Sequence, residues 1–207
     1  MVYLGHVTHG YHRNIAGPKV SQWKDGYRDF EDEYQMTKHL VEQINKYVKE
    51  DDILYHLGDF TFGGIDNIWN FRKQINCKNI HLILGNHDHH IENDKRLPNY
   101  TFKDVPLPAK SLFNSVQYVK TVKHGKNKFF LSHFAHRVWD KSHHGVIHLY
   151  GHSHASIDDN WGRSMDVGVD NAYRLFGKYR PFHLNEIVII MNKREPLILD
   201  HHNSQTT

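Results

Sequence analysis

Cysteine is nearly absent. Cys77 is the single one in 207 residues, which excludes an internal disulfide framework and fits a reducing, cytoplasmic setting. Long apolar runs are missing too. The longest, Ile187 to Met191, falls far short of the roughly 20 residues a bilayer span needs, so no membrane role is expected. The opening MVYLGHVTHG carries no basic stretch followed by an apolar core, so no secretory leader is expected. Excess charge is small: 26 basic against 23 acidic residues give +3, too little to argue for a nucleic-acid partner by itself. Repeats and low-complexity tracts are lacking. With 39% hydrophobic and 24% charged residues a sizeable core is expected. The length suits one domain over residues 1–200, followed by a loose tail from His201 to Thr207.

What the chain has in excess is histidine, 20 residues of it, and their placement matters more than their number. Tyr3 to Val7, Ile53 to Leu57, Ile80 to Leu84, Val146 to Tyr150 and Met165 to Val169 read as strands. Val116 to Val122 and Lys128 to Leu131 flank a turn at 123–127 and read as a hairpin. Met36, Leu40, Val41, Ile44 and Val48 recur at helical spacing, predicting a helix from about Asp32 to Lys49. Ile68 to Ile75 reads as a further helix, and Leu184 to Arg194 as a helix stopped before Pro196, though its Ile-Val-Ile-Ile run would also suit a strand. Gly10 to Phe30 reads as a long loop, and His89 to Ser115, with Pro106 and Pro108, as irregular. Strands alternating with helices, then mostly strands, predict a mixed α/β sandwich.

Several of the apolar strands end in residues able to bind a metal. The first leads to His9, the second to Gly58-Asp59, and the third to Gly85-Asn86-His87-Asp88. Phe129 to Leu131 leads to Ser132-His133, and Ile147 to Tyr150 leads to Gly151-His152-Ser153-His154. Sites in open α/β sheets lie outside the carboxyl ends of the strands, so these five ends are expected to converge. Imidazole combined with carboxylate and amide oxygen favours Mn, Fe or Zn over Ca. His89-His90, His143-His144 and His201-His202 sit in loop-like context and read as solvated.

In that order the motifs resemble the calcineurin-like metallophosphoesterases. The family's pattern is Asp-x-His, Gly-Asp, Gly-Asn-His-Asp/Glu, an isolated His, and Gly-His-x-His. The stretches His56 to Gly63, Arg137 to Trp139 and Asp166 to Asp170 resemble its small prokaryotic and phage branch. The resemblance spans about residues 3–187. It implies two mixed β-sheets packed as a sandwich flanked by helices, and hydrolysis of a phosphoester at a dinuclear centre. Asp59 would bridge two divalent ions, with Mn the readiest choice in vitro. His9 and His154 would complete one ion, and Asn86, His133 and His152 the other. Two such cations about 3.5–4 Å apart can hold a hydroxide and stabilise charge on the phosphoryl group. His87 would act on the transition state or the leaving oxygen, with Asp88 as a candidate to orient its ring or as a turn residue.

One position departs from the pattern. Val7 stands where the family carries its first aspartate, and valine cannot coordinate. The ion shared by His9 and His154 is held weakly, or another ligand such as His6 or His12 serves, or the site is degenerate or engineered.

No motif fixes the substrate. Arg13, Asn14 and Arg137 are candidates to bind it, since arginine pairs with phosphate, and Trp23, Tyr27 and Trp139 could stack on a base or cover the core. A small phosphoester such as a nucleotide is the expected partner. A binding module that keeps the fold while sensing a phosphorylated ligand is the alternative. A nuclease acting on polynucleotide is disfavoured by the modest charge.

Overall fold

The computed structural model describes residues 1–5, 8–157 and 160–198. His6, Val7 and the expected tail at 201–207 lie outside the described residues. In chain order the elements are β1 (Val2–Gly5), α1 (Arg13–Ala16), α2 (Glu33–Tyr47), β2 (Ile53–His56), α3 (Asp66–Arg72) and β3 (Asn79–Ile83). Then come α4 (His89–Glu92), β4 (Arg96–Phe102), β5 (Val105–Pro108), β6 (Ser115–Gln117), β7 (Val119–His124) and β8 (Asn127–Ser132). The chain continues through β9 (Ile147–Tyr150), β10 (Ser164–Asp166), α5 (Val169–Phe176), β11 (Phe182–His183) and α6 (Leu184–Met191).

Two mixed sheets carry the fold. The larger has the order β11-β1-β2-β3-β6, in which β1, β2, β3 and β6 are parallel and β11 is an antiparallel edge. The smaller has the order β10-β9-β8-β7, with only β7 antiparallel. Side-chain alternation along a strand sends successive residues to opposite faces. Tyr3, Leu54, Ile80 and Leu82 of the larger sheet therefore pack with Val41, Ile44, Ile68 and Phe71 of α2 and α3. Leu4 and Ile83 face the other way and share a core with Phe129, Leu131, Ile147, Leu149 and Met165 of the smaller sheet. The result is an α/β sandwich. Burial of each such side chain contributes about 1.5–3 kcal/mol, so this shared core is what binds sheet to sheet.

Local signals account for the element ends. Asp32 caps α2 by accepting from the amides of Tyr34 (2.9 Å) and Gln35 (2.7 Å), and the buried face of that helix is Met36, Thr37, Leu40, Val41 and Ile44. His183 and Glu186 form a reciprocal cap that starts α6.

Three expectations need correction. The stretch expected to be irregular holds α4 and the antiparallel β4–β5 ribbon, where a register shift between Leu97 and Thr101 makes room for proline. A two-stranded ribbon is all edge, so Pro98, Pro106 and Pro108 are tolerated there. The run Val116 to Val122 is not one strand: β6 pairs with β3 in the larger sheet, and β7 begins at Val119 in the smaller one. The expected strand Met165 to Val169 stops at Asp166, and Val169 opens α5. The loop from Gly10 to Phe30 contains the single turn α1.

Candidate metal centre

The parallel strands β1, β2, β3, β8 and β9 deliver their carboxyl ends to one place. The loop after β1 is zipped to the loop after β2: the amide of His9 donates to the Asp59 carbonyl (3.1 Å), and that of Phe62 to the Gly10 carbonyl (2.7 Å). The loop after β3 is tied in through Asp88. Its carboxylate accepts from the amides of Gly85 and Asp59 through Oδ2 and of Phe60 through Oδ1, each at 2.8 Å. Those oxygens face backbone rather than the ring of His87, so Asp88 fastens two loops together. Burial pushes its carboxyl up to about 6, against the opposing pull of the amides it accepts from. Gly85 makes the approach possible, because a Cβ there would collide with the carboxylate and amide of Asp59.

Asp59 sits at the centre, almost fully buried. Its Oδ1 accepts from the amide of His87 at 2.9 Å. Its Oδ2 lies 3.3 Å from Nε2 of His133 and 3.6 Å from Nε2 of His9. Around His133 Nε2 stand Oδ1 of Asn86 at 3.0 Å and Nδ1 of His152 at 3.2 Å. Asp59, His133 and His152 form a cluster whose ligand atoms lie within 4.8 Å of one another, and such a cluster can hold a metal ion. Nε2 of His9 lies 3.0 Å from Nε2 of His154.

The backbone is strained at these positions. His9, Asp59, His152 and His154 all have φ near +50°, a region that non-glycine residues seldom enter. Each such residue costs about 1–3 kcal/mol, and four among the candidate ligands mark a place where side-chain direction outweighs backbone comfort.

Outer contacts set the tautomers. Nδ1 of His133 donates to the Leu57 carbonyl at 2.7 Å, which turns Nε2 toward Asp59 and Asn86, where it donates to their oxygens and would give up its proton to offer a lone pair to an ion. Nδ1 of His154 donates to Oδ2 of Asp170 at 2.7 Å, which leaves its Nε2 lone pair facing His9. His9 is buried, and desolvation, joined by the neighbouring His154 and Arg28, lowers its pKa well below 6.5, so the ring is neutral. Its Nδ1 is buried without a hydrogen-bond partner among the described residues. If Nε2 carries its proton, Nδ1 is a buried lone pair with no donor. If Nδ1 carries it, two lone pairs oppose each other 3.0 Å apart. A cation between the two Nε2 atoms removes the opposition of lone pairs, since two nitrogens each about 2.0–2.1 Å from one ion stand about 3 Å apart. The residues therefore fit a metal.

Charges follow the same geometry. Burial alone would raise the Asp59 carboxyl, but the hydrogen bond and charge of His133 hold it below the usual range. Burial would lower His133, yet Asp59 outweighs it and the pKa is raised. For His152 burial dominates and lowers the pKa.

The structure thus brings together the ligand atoms of His9, Asp59, Asn86, His133, His152 and His154. His87 stands at the rim, exposed, its ring 4.4 Å from Phe62 and 6.0 Å from the His9 ring. His12 packs on Phe62, 3.9 Å between centroids, and its ring is 5.3 Å from that of His9. The candidate substrate residues lie in two loops. Arg13 Nε donates to the Val20 carbonyl (3.3 Å), and Asn14 Oδ1 accepts from the Gln22 amide (3.0 Å), so both shape the 14–22 loop. The side chain of Arg137 is exposed, and its carbonyl accepts from Trp161 Nε1 at 2.9 Å. Trp139 is buried, with Nε1 donating to the Val146 carbonyl.

Sequence reasoning assigned no role to Arg28 and Asp170. Arg28 forks onto the Asp170 carboxylate through Nε (2.7 Å) and a terminal nitrogen (2.9 Å), and its other terminal nitrogen donates to the Thr8 carbonyl (2.7 Å). The pairing holds the Asp170 carboxyl well below the usual range despite burial. The available signal was the Asp166 to Asp170 stretch, whose Asp170 lies 142 residues from Arg28.

No family model matches this chain. It is 27% identical over 194 residues to the Gene 66 protein of Mycobacterium phage D29, covering 82% of this chain and 84% of that one. Its fold is similar to the crystal structure of a protein of unknown function from Aquifex aeolicus, with a TM-score of 0.59 and 19% identity. That likeness covers 92% of this chain and 98% of the other.

Proposed function

We propose that this chain is a metal-dependent phosphoester hydrolase of the calcineurin-like metallophosphoesterase type, acting on a small phosphoester. The observation that carries the reading is the position of Asp59 Oδ2. It lies 3.6 Å from Nε2 of His9, the partner of His154, and 3.3 Å from Nε2 of His133, which Asn86 and His152 adjoin. Two divalent ions, Mn, Fe or Zn, would be held there with Asp59 common to both. Bound ions of this kind neutralise phosphoryl oxygens and acidify water, so no strong protein base is required.

The chain's own residues supply the rest. Asp88 and Gly85 hold the Asp59 and Asn86 loops at fixed separation. Leu57 and Asp170 keep His133 and His154 in the tautomers that present Nε2. His87, exposed at the rim, is placed to interact with a phosphoryl oxygen or donate a proton to the departing one. A cytoplasmic location is part of the proposal. No helix among the described residues is long and apolar enough to cross a membrane.

One observation favours a second reading. Val7 replaces an anionic ligand of the resemblance, which suits a module that binds a phosphorylated ligand without hydrolysing it. Adding Mn to metal-free protein with bis-p-nitrophenyl phosphate separates the two. Release of nitrophenolate supports hydrolysis. Absence of turnover under saturating Mn contradicts it and leaves the binding module.

A further inference from the structure

Beside the candidate metal centre, a cleft of about 680 Å³ is lined by Trp23, Tyr27, Arg28, Tyr173 and Tyr179, and it opens onto His152 and His154. That volume lies within the range of small-molecule sites, about 300–1,000 Å³. The cleft's wall is aromatic and built rather than incidental. Tyr173 stacks on Tyr179, with centroids 4.3 Å apart and planes at 11°, and the Tyr179 hydroxyl donates to the Arg28 carbonyl at 3.1 Å. Facing space remains: Trp23 is 47% and Tyr173 50% exposed. The Trp23 ring rests edge-on against His12 at 5.5 Å.

Charge narrows the occupant. Arg28 and Asp170, the charged residues lining the cleft among the described residues, neutralise each other in a forked pair. Among the described residues a second phosphate would find no spare cation there, whereas a neutral planar ring would find aromatic faces. The pocket at His87, lined also by Phe62, Gly63 and Ile68, is far smaller, about 80 Å³. The site is therefore asymmetric, roomy beside His154 and tight beside His87.

We propose that the substrates are nucleotide phosphodiesters whose retained nucleoside lies in the Trp23–Tyr173 cleft, with the departing alcohol on the His87 side. This rests on the hydrolase reading above. The reaction adds one water: its oxygen bonds to phosphorus, the bond from phosphorus to the departing oxygen breaks, and one water proton ends on that oxygen. The products are a nucleoside monophosphate and an alcohol.

The test compares thymidine 5′-(p-nitrophenyl phosphate) with methyl p-nitrophenyl phosphate under saturating Mn. Both release nitrophenolate, so the fit of the departing group cancels. The proposal expects kcat/KM to favour the thymidine ester by about tenfold, the scale of one base stacked on an aromatic ring. In Trp23→Ala and Tyr173→Ala that ratio should fall toward one, chiefly through KM. Equal kcat/KM for the two esters in the unaltered protein, or a ratio that survives both substitutions, overturns it. If neither ester is cleaved, the hydrolase reading has failed, and calorimetry of thymidine monophosphate against methyl phosphate then judges the cleft alone. Tighter binding of the nucleotide, lost in Trp23→Ala, supports the cleft as a base site, and equal binding contradicts it.

Discussion

Asp170 grips His154 by its far nitrogen. Oδ2 lies 2.7 Å from Nδ1, so the opposite nitrogen is turned toward His9, 3.0 Å away. The same carboxylate neutralises the buried Arg28, which in turn holds the Thr8 carbonyl just before His9. One side chain thus fixes both members of the His9–His154 pair, one directly and one through the backbone.

Asp170→Asn is expected to weaken metal binding about 10–100-fold, the usual effect of losing an outer partner of a histidine ligand. Stability should fall as well, by up to about 3–5 kcal/mol, because Arg28 loses its counter-charge while remaining buried. Titrating Mn into folded, metal-free variant at low temperature separates the two effects. Unchanged affinity would show that Asp170 serves packing alone.

For His87→Ala the expectation is the reverse: metal content is kept and kcat falls about 10²–10⁴-fold, as for loss of a general acid. The loss should shrink with a good leaving group such as nitrophenolate. An equal loss across leaving groups would restrict His87 to stabilising the phosphoryl charge. Unaltered turnover would remove it from the reaction.

Acid sensitivity should come partly from a histidine outside the centre. His148 is fully buried in β9, where Nε2 accepts from the His136 amide (2.9 Å) and Nδ1 donates to the Phe130 carbonyl (3.2 Å). That arrangement admits only the neutral ring, and burial lowers its pKa to about 4. Unfolded, the ring titrates near 6.5, so between about pH 6.5 and 4 the unfolded chain binds the extra proton. Stability therefore falls as pH drops through that window, by about 3 kcal/mol for this group. Urea unfolding of the unaltered protein and of His148→Gln at pH 7 and pH 4.5 checks it. The variant should be less stable at pH 7 and lose less on acidification. Identical losses would contradict the assignment.

The convergence of the candidate ligands was legible because these residues follow strands directly. His9, Asp59, Asn86, His133 and His152 each come within a few residues of an apolar run, and parallel strands present their carboxyl ends together. What was not legible lay in partners chosen by tertiary packing. Arg28 reads as one more cation in a charged loop until α5 brings Asp170 to it. Asp88 stands next to His87 in sequence, yet its oxygens turn to the amides of another loop, 28 and 29 residues away. The β4–β5 ribbon was hidden by its prolines, and the break between β6 and β7 by an unbroken β-favouring run, since periodicity cannot tell which sheet a residue joins.

Val7→Asp follows from the resemblance alone, as that position lies outside the described residues. It should tighten the weaker ion and raise activity at limiting Mn. Two ions of similar affinity in the unaltered protein, with no gain in the variant, would show that the site is complete without an aspartate.

The central claim is that Asp59 is shared by two ions, and elemental analysis of metal-loaded protein measures this most directly. Two ions per chain are expected in the unaltered protein. In Asp59→Asn retention should fall below one, because loss of a single carboxylate charge weakens both positions together. Two ions retained by Asp59→Asn, or no more than one ion bound by the unaltered protein at saturating Mn, would contradict the account.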